Sequence, residues 1–279
     1  MGKIKTGSKR AASTQSLDEK VHARKNRPPS RISEAKNLRA DVQRQTRRSH
    51  ALRTDLLAIA THDLRNPLGV VLVTSTLLAR ELTAPNQLEQ VAAIRRAAME
   101  MIQVIDDLVD GSQIDAGALD LLTETSSLAG IIEEAAAAAR AQKGERAIAI
   151  ETRVESQLPE IHVDRQRLLQ VVSRIVTNAL RFMPKDGKIF IECRKDGPDV
   201  RFSVRDSGPL IPESQRPYAF MRRPPAGRRS CRGTGLGMFV VKGIVEAHGG
   251  SIELTSDEER GNRVSFTLPM KRVMGKVAV

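Results

Sequence analysis

The reading of this chain turns on Thr61-His62-Asp63-Leu64-Arg65-Asn66-Pro67-Leu68. An unperturbed imidazole, with a pKa of about 6.5, is mostly neutral at pH 7 and can act as a nucleophile. The adjacent carboxylate of Asp63 can accept the proton on the other ring nitrogen, which fixes the tautomer and raises nucleophilicity. Upstream, Leu38, Val42, Gln45, Ser49, Leu52, Leu56 and Ile59 recur at alternating spacings of four and three. That is a coiled-coil seam with two polar positions. His62 falls one position off it and is therefore expected to face solvent. Pro67 is expected to remove one backbone hydrogen bond and bend the axis.

Downstream, Leu68, Val71, Leu72, Leu77 and Leu78 resume an apolar face, and Thr83-Ala84-Pro85-Asn86 is a turn signal. Val91, Ile94, Ala98, Met101, Ile105 and Leu108 then mark a second helix. Two long helices joined by a short loop make an αα-hairpin. One hairpin cannot hide two apolar stripes from water, so a homodimeric four-helix bundle is expected.

The breaker-rich stretch Gly111 to Ser127 is read as the domain boundary. Beyond it, helical patterns cover 128–141, about 165–182 and about 236–247. Strand patterns cover 147–154, 188–194, 200–205, 251–255 and 263–268. Helices grouped against a mixed sheet predict a two-layer α/β sandwich. The expected fold is thus α+β and multidomain. A basic leader at 1–31 and a coiled-coil linker helix at 32–51 precede a helical hairpin at 52–118. A catalytic domain at 119–273 and a tail at 274–279 follow.

Composition narrows the function class. Aromatics make up only 3% of the chain, with no tryptophan, so the core must come from Leu, Ile, Val and Ala. The first 53 residues carry fifteen Lys and Arg against four Asp and Glu, so eleven of the twelve net charges sit there. The body is nearly neutral, which argues against nucleic acid as the main partner. Cys193 and Cys231 form no CxxC motif, and no apolar run approaches the ~18–20 residues that span a bilayer. A cytoplasmic location without an integral membrane segment is expected.

The string His62-Asp63-Leu64-Arg65-Asn66-Pro67-Leu68 closely resembles the H-box of two-component sensor histidine kinases, and three further boxes follow in that family's order. Asp164…Gln170-Val171-Val172…Asn178-Ala179-Leu180-Arg181-Phe182 is similar to the N-box. Asp206-Ser207-Gly208-Pro209-Leu210-Ile211 is similar to the first glycine box, and Gly233-Thr234-Gly235-Leu236-Gly237-Met238 to the second. The resemblance implies a Bergerat-type ATP site and phosphorylation of His62. Asp63 would be the orienting acid/base, and Asn66 would position water for the reverse reaction. It further implies Asn178 as a Mg²⁺ ligand, Asp206 as acceptor for the adenine amino group and Arg181 as a phosphate contact. Phe182, Gly208, Gly233, Thr234, Gly235, Leu236 and Gly237 complete the implied nucleotide site. Mg²⁺ is usually held by oxygen ligands and water, and a helix N-terminus behind glycines favours phosphate. The Arg-rich loop 216–232, with Phe220, is by the same resemblance the cover over the nucleotide. The implied partners are a second copy of the chain, a response regulator receiver domain and an upstream sensor engaging the N-terminal coil.

Some positions depart from the family pattern. Arg174 replaces the other N-box asparagine, Leu210 a glycine, Arg223 an aromatic, and Asn262-Arg263 the usual threonines. They define a second reading: a catalytically weakened dimeric docking module whose His62 takes its phosphate from a partner.

Overall fold

Apolar residues at every second position of the central strands give the molecule its inner sheet face. The computed structural model describes residues 60–144, 146–222 and 235–270. The leader, the linker helix, the tail, Gly233, Thr234, Arg223 and Cys231 lie outside them. The order is α1 (60–81), α2 (Pro85–Ala116), β1 (Glu124–Ser126), α3 (Leu128–Lys143), β2 (Ala147–Val154), β3 (Ile161–Val163) and α4 (Arg165–Phe182). Then come β4 (Asp186–Asp196), β5 (Asp199–Asp206), a 3-10 turn (Glu213–Tyr218), α5 (Leu236–Ala247), β6 (Ser251–Asp257) and β7 (Gly261–Pro269).

The main sheet has the order β2-β4-β5-β7-β6. β2 and β4 are parallel, as a crossover through a helix requires, and the remaining pairs are antiparallel. Ile189, Ile191 and Cys193 on β4, Val200, Phe202 and Val204 on β5, and Val264, Phe266 and Leu268 on β7 all point into the core. Phe202 and Phe266 are register partners and stack with centroids 4.6 Å apart. Opposite them α4 buries Leu168, Val171, Val172, Ile175, Val176, Ala179 and Leu180, a helical stripe. α3 contributes Ile131, Ile132, Ala135 and Ala136, and α5 contributes Val240, Val241, Ile244 and Val245. Three helices on one sheet face make the expected two-layer sandwich.

The helical hairpin is also present, with two differences. Helix α1 continues through Pro67, although the ring nitrogen cannot donate to the Asp63 carbonyl. Helix α2 runs past Gly111 and stops only at Gly117. There φ is 63°, Gly117 N–H donates to the Ile114 carbonyl and Ala118 N–H to that of Gln113. The helix survives Gly111 because its last turns dock on α5. Phe239 packs over Gly111, and Ile114 fills the space that a side chain at Gly243 would need. Away from this junction the hairpin leaves Leu64, Val70, Val73, Leu77, Ile94 and Met99 more than half exposed.

His248 ties α5 to the start of α4. Its buried ring accepts the Asp164 backbone N–H at Nε2 (3.1 Å), while Nδ1–H donates to the Ile244 carbonyl (2.8 Å). Burial lowers its pKa, against smaller upward pulls from the Ile244 carbonyl and Asp164. A ring proton added at Nε2 would face another donor. With the folded pKa below the unfolded ~6.5, this contribution is complete above the unfolded value and is lost as pH falls through the folded one. Urea midpoints measured from pH 7.5 to 5 should therefore fall further for the native chain than for His248→Gln. Parallel curves would exclude the effect.

Candidate functional site

Asp164 fixes where α4 begins. Its carboxylate accepts Arg167 N–H at 3.0 Å and Leu122 N–H at 2.9 Å. From that start Arg167, Gln170 and Arg174 project toward α2. Asp110 of α2 is buried and accepts from Arg167 Nη1 and from Gln170 Nε2, both at 2.7 Å. Arg174 donates to Asp107, and its other terminal nitrogen lies 3.8 Å from Asp110. One turn along, Arg65 of α1 clasps Asp106 at 2.5 and 3.1 Å, and Arg222 pairs with Asp115. The side chains of Arg174 and Asp107 are 7% and 6% exposed, so this pair is sealed from water. Burial pulls the Arg174 pKa down to about 10, against an upward pull from Asp106. It therefore stays charged at neutral pH.

His62 is open to solvent, with its side chain 75% exposed, and Nδ1 lies 3.3 Å from Asp63 Oδ1. With the proton on Nδ1 donated to Asp63, Nε2 carries the free lone pair. Asn66 is exposed on the same helix.

On the sheet side, Asp206 ends β5. Its Oδ1 accepts both Gly208 N–H and Asn262 Nδ2, each at 2.9 Å. Burial raises its pKa, while the bonds from Asn262 and Gly208 pull it down. Buried Asn262 also donates to the Pro209 carbonyl, and its own oxygen accepts Ile211 N–H and Ser256 Oγ–H. One amide thus holds the carboxylate and the loop after it. Gly261 precedes it at φ 74°, with Asp206's carbonyl where a side chain would stand. Leu210 is 41% exposed. Gly235 caps α5 in a left-handed conformation (φ 71°) with no side-chain cap, and Leu236 and Gly237 form the first turn. Asn178 is half-buried one turn after Arg174, and Phe182 is 37% exposed at the end of α4. Arg181 stands 3.9 Å from Glu100 of the hairpin.

Two family models match, and they meet the chain at these two places. The His Kinase A (phospho-acceptor) domain covers residues 52–117, and the histidine kinase-, DNA gyrase B- and HSP90-like ATPase covers 163–272, together well over half of the chain. The chain belongs to the sensor histidine kinases.

Among its relatives is an uncharacterized sensor-like histidine kinase of Rhizobium meliloti (strain 1021), 28% identical over 250 residues, which are 85% of this chain and 47% of that protein. The cell-division control histidine kinase PdhS of Brucella abortus (strain S19) is 30% identical over 250 residues, 84% of this chain and 24% of PdhS. This sensor histidine kinase chain therefore spans less than half the length of these curated relatives. The crystal structure of full-length ShkA in complex with AMPPNP superposes with a TM-score of 0.63 at 26% identity, covering 79% of this chain and 47% of that one.

Sequence patterns singled out one wall of the site and missed two others. Asp107 and Asp110 carry no motif, and their partners lie 57 to 67 residues away. Asn262 stood out only as a departure from the family, yet it is the residue that aims Asp206.

Proposed function

We propose that this chain is an ATP-dependent protein-histidine kinase that phosphorylates His62 and passes the phosphoryl group to an aspartate of a response regulator. The observation that carries this reading is an exposed imidazole, beside Asp63, in the same chain as a half-buried carboxylate and a glycine-started helix. In the reaction His62 Nε2 forms the new N–P bond while the bond from the γ-phosphorus to the bridging oxygen breaks, and ADP leaves. Such transfer depends mainly on positioning and charge neutralisation. Asp206 would hold adenine, and the first turn of α5 would face the phosphates.

Asn178 fits a Mg²⁺ shell. It offers a hard amide oxygen from a half-buried helix position, and Mg²⁺ commonly takes few protein ligands and several phosphate or water oxygens. The ion would neutralise charge on the phosphates.

We place the phosphotransfer hairpin at 52–118 and the ATP-binding domain at 119–273. The exposed apolar residues of the hairpin support a homodimeric bundle. Input would reach it through the linker at 32–51. Among the described residues no helix is long and apolar enough to cross a membrane, and we propose cytoplasmic action.

The test is incubation with Mg²⁺ and γ-labelled ATP. Acid-labile label is expected on the native chain and none on His62→Ala. Label that persists in that variant would overturn the assignment. A second reading, with His62 phosphorylated by a partner, is favoured by the Arg174–Asp107 pair, which ties up an N-box position. It predicts no label without the partner.

A further inference from the structure

Three acids follow one another on the last turns of α2, and they are not equivalent. Asp106 is held by Arg65 within the hairpin, and Asp110 by Arg167 and Gln170 at the edge of α4. Asp107 reaches deeper. One oxygen pairs with Arg174, and the other lies 3.6 Å from where a side chain would start at Gly237, in the first turn of α5. That turn has no acidic residue of its own and no side-chain cap at Gly235. A helix N-terminus favours an anion, and Asp107 Oδ2 stands beside this one.

Two electropositive groups thus converge on one carboxylate: a guanidinium from α4 and the start of α5. Arg174 is also under-used. Its Nε is buried without an acceptor, and Asp110 stands 3.8 Å from its second terminal nitrogen. A guanidinium presents five donors in a planar fork that suits phosphate oxygens better than one carboxylate oxygen. Arg174 and Asn178 lie four residues apart and so share a helix face, which puts the guanidinium beside the proposed Mg²⁺ ligand.

We propose that Arg174 is a phosphate ligand shared between two anions: Asp107 of the hairpin holds it in this structure, and the nucleotide phosphates displace Asp107 when they bind. This rests on the nucleotide reading given above. A carboxylate facing a polyphosphate is repelled, so the two cannot occupy the place together. Nucleotide binding and docking of α2 on α4 and α5 are then linked, and each weakens the other by the same factor. The substitution at 174 thereby gives the chain a phosphate-sensitive clasp between its hairpin and its ATP-binding domain.

The test uses the full chain and two probes, Mg–AMPPNP and adenosine, with affinities measured by calorimetry. Asp107→Asn is expected to bind Mg–AMPPNP roughly tenfold more tightly, a difference of about one decade in Kd. Asp107→Glu, which keeps the anion, should remain near the native value, and adenosine should be indifferent to both. Adding Arg174→Asn to Asp107→Asn should remove the gain. A native chain that binds Mg–AMPPNP with an affinity that Asp107→Asn leaves unchanged or weakens would overturn the shared ligand and leave the kinase reading standing. Failure of every variant to bind either probe would overturn the nucleotide reading and this inference with it.

A second measurement needs no substitution. Amide exchange in residues 103–116 of the native chain should quicken on adding Mg–AMPPNP and stay unchanged with adenosine. Slower or unchanged exchange with Mg–AMPPNP would overturn the displacement.

Discussion

Asp206→Ala is expected to weaken ATP binding by roughly a hundredfold. A charge-assisted hydrogen bond is worth about 1.5–3 kcal/mol, and each 1.4 kcal/mol is a decade in Kd. On the proposed reading the carboxylate does two jobs with different atoms. Oδ1 accepts from Gly208 and Asn262, and among the described residues nothing bonds Oδ2, which leaves it for the adenine amino group. Alanine removes both and strands the Gly208 N–H and the Asn262 amide, so the denaturation midpoint should fall as well, by the equivalent of about 1–3 kcal/mol. Asp206→Asn separates the two effects. Its oxygen can still serve Gly208 and Asn262, but its NH₂ then faces the adenine NH₂, two donors opposed. Stability should be largely kept while ATP affinity is lost, and ITP, with a carbonyl at that position, should gain relative to ATP. Competition binding with the two nucleotides checks this. A variant that keeps its preference for ATP would show that Asp206 does not read the base. Because burial raises the Asp206 pKa, ATP affinity of the native chain should begin to fall at a higher pH than an ordinary carboxylate would dictate.

Much of this architecture is written locally. The stripe Leu168, Val171, Val172, Ile175, Val176 carries the period of a helix against a core, and α4 spans Arg165–Phe182 as that period predicts. Strand β2 at Ala147–Val154 and helix α5 at Leu236–Ala247 likewise match their patterns. Local rules failed where distant residues decide. Gly111 reads as a helix breaker, but Asp110 is buried against α4 and Phe239 of α5 packs over Gly111, and that packing carries α2 to Ala116. The strands Glu124–Ser126 and Ile161–Val163 are too short to show a period and exist because they pair with each other. The site divides in the same way. His62-Asp63 is legible because its partners are adjacent in sequence. Asp206 was legible as a motif, but the amide that orients it comes from residue 262, and no pattern announces a contact 56 residues long. Arg174 was visible only as a missing asparagine, since the acid that explains it lies on another domain.

The same junction supplies the other large effect. Asp110→Ala is expected to destabilise the contact between hairpin and ATP-binding domain by about 3–5 kcal/mol, the usual cost of removing one partner from a buried charged pair. The Asp110 side chain is 7% exposed and takes Arg167 at 2.7 Å, Gln170 at 2.7 Å and the edge of Arg174 at 3.8 Å. Removing it takes the shared acceptor from Arg167 and Gln170 and the nearby negative charge from buried Arg174. The sandwich core, built from α3, α4, α5 and the sheet, does not depend on Asp110, so the loss should be confined to the docking of α2. Limited proteolysis resolves this: cleavage should quicken in the segment around Gly117, where the helix ends, while the sheet domain persists as a resistant fragment. Asp110→Asn keeps an oxygen for one donor and should fall between the two. Replacing Asp107, Asp110, Arg167, Gln170 and Arg174 together by apolar residues of similar volume should restore much of the docking, because a buried polar cluster stabilises far less than its half-removal costs. If Asp110→Ala is cleaved no faster than the native chain, the apolar contacts of Gly111 with Phe239 and Ile114 with Gly243 hold the junction by themselves.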